Sequence, residues 1–154
     1  MSHPAIVVQL SSYSFCLSSF AFDGLPALMV HILISEASQI KRMNANGVQK
    51  MMRNVLALQQ NLSNFVPPSQ NSVMERAREY YQMFNLGSEG LIRSISENGP
   101  RFSFDEYRVI LGLINDIKKE SDGPESEQRE DSGASSSYSA WLLKLDDAMA
   151  RYEN

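Results

Sequence analysis

The sequence predicts an all-α protein, an antiparallel bundle of about four to five helices. Apolar residues recur every three or four positions through five separate segments, the period of one helical face. Those segments are parted by Asn, Gly and Pro clusters, which punctuate helices. No pair of alternating strands, Asn-Gly hairpin or internal repeat competes with that reading.

Taken in order, residues 1–21 show no sustained period and form a leader that is poorly ordered or foreign to the rest. Its Ile6, Val7, Val8, Tyr13 and Phe15 favour locally extended structure. The first helical stripe follows as Leu25, Leu28, Met29, Ile32, Leu33, Ala37, Ile40 and Met43, nearly twenty residues of helix. Asp23 or Gly24 can cap it, and Pro26 is tolerated in a first turn. Asn44–Gly47 breaks or kinks the chain.

A second helix spans about 46–65, with Val48, Met51, Val55, Leu58 and Leu62 inward and Lys50, Arg53, Gln60 and Asn61 opposite. Pro67-Pro68 ends it. A third, capped within 69–72, carries Val73, Ala77, Tyr80, Phe84, Leu91 and Ile95. Gly87 and Gly90 each weaken it by up to about 1 kcal/mol against Ala and predict a bend, and Asn98-Gly99-Pro100 stops it.

Ser103 and Glu106 match a capping box, with reciprocal side-chain bonds to the first turn. The fourth helix then presents Tyr107, Ile110, Leu111, Ile114 and Ile117. Residues 120–137 are Glu, Asp, Ser, Gly and Pro with almost nothing apolar. Such a stretch cannot offset an ordering cost of about 1–2 kcal/mol per residue, so it reads as a disordered acidic linker. Residues 138–154 close the chain as an amphipathic helix carrying Tyr138, Trp141, Leu142, Leu145, Ala148, Met149 and Tyr152.

Composition narrows the function. At 154 residues the chain holds one domain or a piece of a larger one. Its 18 acidic and 14 basic side chains give a net charge of −4. That excludes the Lys/Arg surplus of a general nucleic-acid binder and argues against a strongly basic membrane-facing surface.

Cys16 is the only cysteine, so neither an internal disulfide nor a thiolate zinc cage can form. Asn61-Leu62-Ser63 fits the glycosylation sequon but sits in an expected helix. Residues 4–22 lack the positive start of a secretory signal. The cleanest apolar run, 26–34, is shorter than an integral membrane span of about 20 residues.

Catalytic chemistry finds no footing. There is no Gly-rich phosphate cradle and no nucleophile–base–orienter set. His3 lies in the leader, and His31, between Val30 and Ile32, reads as a packed or edge histidine. Asp105-Glu106 is explained by capping and Asp146-Asp147 by a polar helix face. The reading is a non-enzyme without cofactor or metal.

Contact surfaces remain. Met51-Met52 and Tyr80-Tyr81 are adjacent pairs that straddle a stripe, so one member of each suits a second surface. Met52, Leu56 and Tyr81 are the candidates there. In the last helix Trp141 and Leu145, with Ala148, have the one-turn spacing of docking anchors.

A wider pattern joins these segments. Phe22-Asp23-Gly24-Leu25, His31-Ile32-Leu33-Ile34, the run Lys50-Met51-Met52-Arg53-Asn54-Val55-Leu56-Ala57-Leu58-Gln59-Gln60-Asn61-Leu62, then Ala77-Arg78-Glu79-Tyr80-Tyr81-Gln82-Met83 and Phe104-Asp105-Glu106-Tyr107 appear in that order over about residues 20–119. The chain in this range resembles the C-terminal region of the exocyst component four (Sec-eight) family.

The resemblance implies a stretch of a tethering-complex rod built from stacked helical bundles. It implies a role in docking secretory vesicles at the plasma membrane before fusion, by protein–protein contacts and without catalysis or cofactor. The implied partners are other exocyst subunits and, through the complex, small GTPases or SNARE machinery. The implied location is cytoplasmic, peripheral to the plasma membrane at sites of secretion. Because family subunits are several times longer, a fragment is expected. The competing expectation is a free-standing helical adaptor that docks through residues 138–152.

Overall fold

A computed structural model describes residues 22–121 and 132–152, with only the backbone described for 116–121 and 132–136. The leader and residues 122–131 of the expected linker lie outside the described residues. The helices are α1 (Leu25–Ser35), α2 (Ala45–Leu62), α3 (Pro68–Asn71), α4 (Glu75–Met83), α5 (Gly87–Asn98), α6 (Phe104–Ser121) and α7 (Ser132–Ala150). No strand occurs among the described residues.

The order of packing follows the stripes. Val48, Val55 and Leu62, seven apart, are buried on α2, and that face lies on α4. Contacts from Gln59 to Glu75 at 2.9 Å and from Asn85 to Met52 at 3.7 Å run the two helices antiparallel. α1 joins the same side, where the Tyr81 hydroxyl donates to the Leu33 carbonyl at 2.7 Å. On the far side α5, α6 and α7 pack together. The Tyr138 hydroxyl donates to the Arg108 carbonyl at 3.3 Å and the Tyr152 hydroxyl to the Ser96 carbonyl at 2.7 Å.

α4 and α6 meet in an aromatic cluster. Tyr80 stands edge-on to Tyr81, Phe84 and Phe102, with ring centroids 5.4, 5.9 and 5.4 Å apart. Phe102 in turn meets Tyr107 at 5.7 Å. Such edge-on pairs add about 0.5–1.5 kcal/mol beyond burial.

Local chemistry sets the ends. The Asn44 side chain accepts from the Gly47 N–H at 2.8 Å and caps α2. The capping box forms: the Ser103 N–H donates to Glu106 Oε2 at 2.7 Å, and the Glu106 N–H donates to Ser103 Oγ at 3.2 Å. Gly99 has φ 78°, and its N–H returns to the Ile95 carbonyl at 2.9 Å. The expected bend falls at Gly87, with φ 67° and ψ 176°, a backbone conformation confined essentially to glycine.

Four expectations are corrected. The first helix ends at Ser35, a 3-10 turn covers Glu36–Gln39, and Ile40 turns extended at φ −73°, ψ 115°. Ile40 and Met43 still pack on the core from the connecting loop, so their helical spacing was coincidental. Next, α2 ends at Leu62, ahead of the prolines; Pro67 is instead the N-cap of α3 and Pro68 its first residue, where a missing N–H costs nothing.

The third correction concerns Val73, which is exposed, while Met74 takes the core position. A 3-10 turn at Ser72–Met74 shifts the register there. Finally, α6 continues through Ser121 and α7 begins at Ser132, so both ends of the stretch expected to be linker are helical.

Candidate protein-interaction surface

The five residues singled out from sequence are split by the fold. Tyr81 is 1% exposed and Leu145 0%; both belong to the chain's own core. Burial raises the Tyr81 hydroxyl to about 12, and Tyr80 beside it is raised further, by burial first and then by Tyr81 and Glu106. The docking anchors of the last helix also face inward, since Ala148 is buried with Leu145 and α7 lies on α5 and α6. Trp141 is half-buried against the core and carries the Lys144 ammonium 4.4 Å from its ring centroid. Neither Met51 nor Met52 is fully buried, and Leu56 is 42% exposed.

Exposed large apolar side chains are spread over the surface, Leu143 on α7 being the most exposed at 73%, but those of α1 and α2 fall in pairs. Leu28 and Ile32, one turn apart, are 54% and 47% exposed, and His31 between them is exposed. On α2, Met52 and Leu56 are likewise one turn apart. They border Asn85, whose amide contacts Met52 Sδ, and exposed Leu86 follows it in the chain. Paired i, i+4 apolar side chains on an exposed face are the pattern of helix-on-helix contact. Sequence periodicity missed Leu86, which sits in a 3-10 turn at Phe84–Leu86 and so off any helical stripe.

The charge on the two sides differs. Arg76, Arg78, Arg93, Arg101, Arg108 and Arg151 each pair with a carboxylate within 4 Å. The Arg76 guanidinium bonds both Glu106 oxygens at 3.0 Å and lies 4.9 Å from the Phe102 ring centroid. By contrast, Lys41, Arg42, Lys50 and Arg53 form no ion pair among the described residues. Glu36 is the only acid between 24 and 74. The first turn of α2 holds no acid either, so no charge there complements the positive pole of the helix.

Reactive groupings were sought in the same way. No cluster of three or more His, Cys, Asp or Glu able to hold a metal occurs among the described residues. Ser88 is buried with its Oγ unpartnered, and a serine nucleophile needs a base within hydrogen-bond reach. Both acid pairs have structural employment: Asp105 meets Arg108 at 3.2 Å, Glu106 closes the capping box, and Asp147 meets Arg151 at 2.8 Å. No described helix is long and apolar enough to cross a membrane.

No family model matches the chain. Curated relatives do. Over 111 residues it is 32% identical to Exocyst complex component 4 of Homo sapiens, covering 72% of this chain and 11% of the human protein. It is 33% identical over 104 residues to Exocyst complex component 4 of Dictyostelium discoideum, covering 66% of this chain and 8% of that one. Exocyst complex component SEC8 of Arabidopsis thaliana is 25% identical over 96 residues, 60% of this chain and 9% of the plant protein. The chain thus spans about a tenth of the length of the curated relatives it matches. With animal, amoebal and plant relatives aligned over most of its length, this helical chain belongs to the exocyst complex component 4 (Sec8) family.

Proposed function

We propose that the chain acts as a helical piece of the exocyst tethering complex, from the C-terminal region of component 4, and helps dock secretory vesicles at the plasma membrane before fusion. The similarity to the human subunit over 111 residues carries this reading. The exposed apolar pairs on α1 and α2 supply the means, because a bundle that leaves Leu28, Ile32 and Leu56 outside has faces for another helix.

Its work is positional: it binds sister subunits and transforms nothing. Small GTPases and the SNARE machinery would meet it only through the assembled complex. Its place would then be cytoplasmic, peripheral to the plasma membrane where secretion occurs. A free adaptor using residues 138–152 is disfavoured, since Leu145 and Ala148 are already buried within the bundle.

Co-purification tests the proposal. The tagged 154-residue chain, expressed with the other exocyst subunits, is expected to retain at least one of them at physiological salt. Retention of none, by a chain that circular dichroism shows to be helical, would overturn it.

A further inference from the structure

We propose that the outer flank of α2 receives an acidic amphipathic helix from a sister subunit. Apolar residues one turn apart on that helix would seat on Met52 and Leu56, and its carboxylates would meet Arg53 and Lys50. The inference rests on the exocyst reading above and adds the chemistry of the partner.

The order of residues around α2 carries it. At 3.6 residues per turn, the sequence Val55, Met52, Leu56, Arg53, Lys50 runs round the helix from the core outward. An apolar strip therefore lies between the chain's own core and a cationic border. Lys41 and Arg42 are exposed in the loop just before the Asn44 cap and add positive charge near the start of α2.

Charge complementarity fixes the occupant. Every ion-paired arginine named above lies outside α1 and α2, whereas the four cations here are exposed and meet no carboxylate among the described residues. Isolated surface pairs add little affinity, but a complementary border sets orientation and speeds encounter.

An anionic bilayer fits less well. Surface-binding helices place cations beside Trp, Phe or Leu across a broad apolar face. Here the apolar strip is narrow and is bordered on one side by Asn85 and on the other by exposed Gln49 and Gln60. The net charge of −4 also opposes approach to anionic lipid. Glutamines and cations beside two aliphatic anchors match a polar helix rim.

The experiment uses the full chain and individually purified exocyst subunits as probes. Lys50→Glu with Arg53→Glu alters only exposed side chains, so the circular dichroism melt of the double variant should match the wild type. Capture of the partner should weaken about tenfold, mainly through slower association. A benzophenone side chain at position 56 should cross-link the partner on a helix bearing Asp or Glu within one turn of the linked residue.

Undiminished capture by the double variant would overturn the inference while leaving the exocyst reading intact. So would a cross-link to a segment without acids, or charge-dependent binding to phosphatidylserine vesicles in place of a subunit. Failure of the wild-type chain to capture any subunit would overturn both.

Discussion

The α4–α7 side and the α1–α2 side of this bundle solve the same problem differently. The first is closely tied together. Its aromatic rings interlock around Tyr80 and Phe102, and its arginines are matched to carboxylates. The second side contributes Val30, Ile34, Val48 and Val55 to the shared core yet leaves Leu28, Ile32 and Leu56 outside, beside cations with no ion pair among the described residues. One side is built to hold itself together; the other holds to the first and keeps a face in reserve. The proposed recognition face thus lies apart from the aromatic cluster, and substitutions on the two sides should separate recognition from stability.

The largest effect is expected at the centre. Phe102→Ala removes a ring shared by Tyr80, Tyr107 and Arg76, and should destabilise by about 3–5 kcal/mol in urea unfolding. A loss under about 1 kcal/mol would mean that the cluster does not hold the α4–α7 side together. Gly87→Ala comes next, at about 1–3 kcal/mol, because φ 67° with ψ 176° strains any residue with a Cβ. Open space surrounds the position, so steric clash would contribute nothing to a measured loss.

Tyr81→Phe is smaller, about 0.5–1.5 kcal/mol, from the lost bond to the Leu33 carbonyl. It also carries a pH signature. The folded hydroxyl titrates near 12 against an ordinary value of 10.0. The folded state thus holds the proton longer, and stability present below pH 10 falls as pH rises toward 12. Tyr80 should leave a residual slope in the variant, whereas an unchanged slope would remove Tyr81 from the account. The least effect on folding belongs to Leu56→Ser, within about 0.5 kcal/mol, though it should weaken subunit capture. A large drop in thermal stability there would refute the division into two sides.

Much of this was legible in the residues. The α2 stripe, the α6 stripe, the Ser103–Glu106 cap and the Gly87 bend all follow from side-chain period or local backbone chemistry. What sequence could not reveal is long-range. Tyr81 and Leu145 looked like surface candidates because adjacency and turn spacing do not say how many neighbours a helix has. Tyr81 is enclosed because α1 crosses over it, and Leu145 because α5 and α6 both receive α7. Phe102 escaped notice for the complementary reason. It lies in a loop, without periodicity, and only the tertiary fold makes it a hub. Ile40 and Met43 kept their burial while losing their helix, since packing needs proximity and not a regular backbone.

The loop between α1 and α2 has a practical corollary. Lys41 and Arg42 are exposed on non-helical backbone, which among the described residues makes their peptide bonds a natural target of trypsin. After such a nick α1 would remain attached, through Val30, Ile34 and the Tyr81 hydroxyl. The cleaved protein should migrate as one species in its native state and as two fragments only after denaturation.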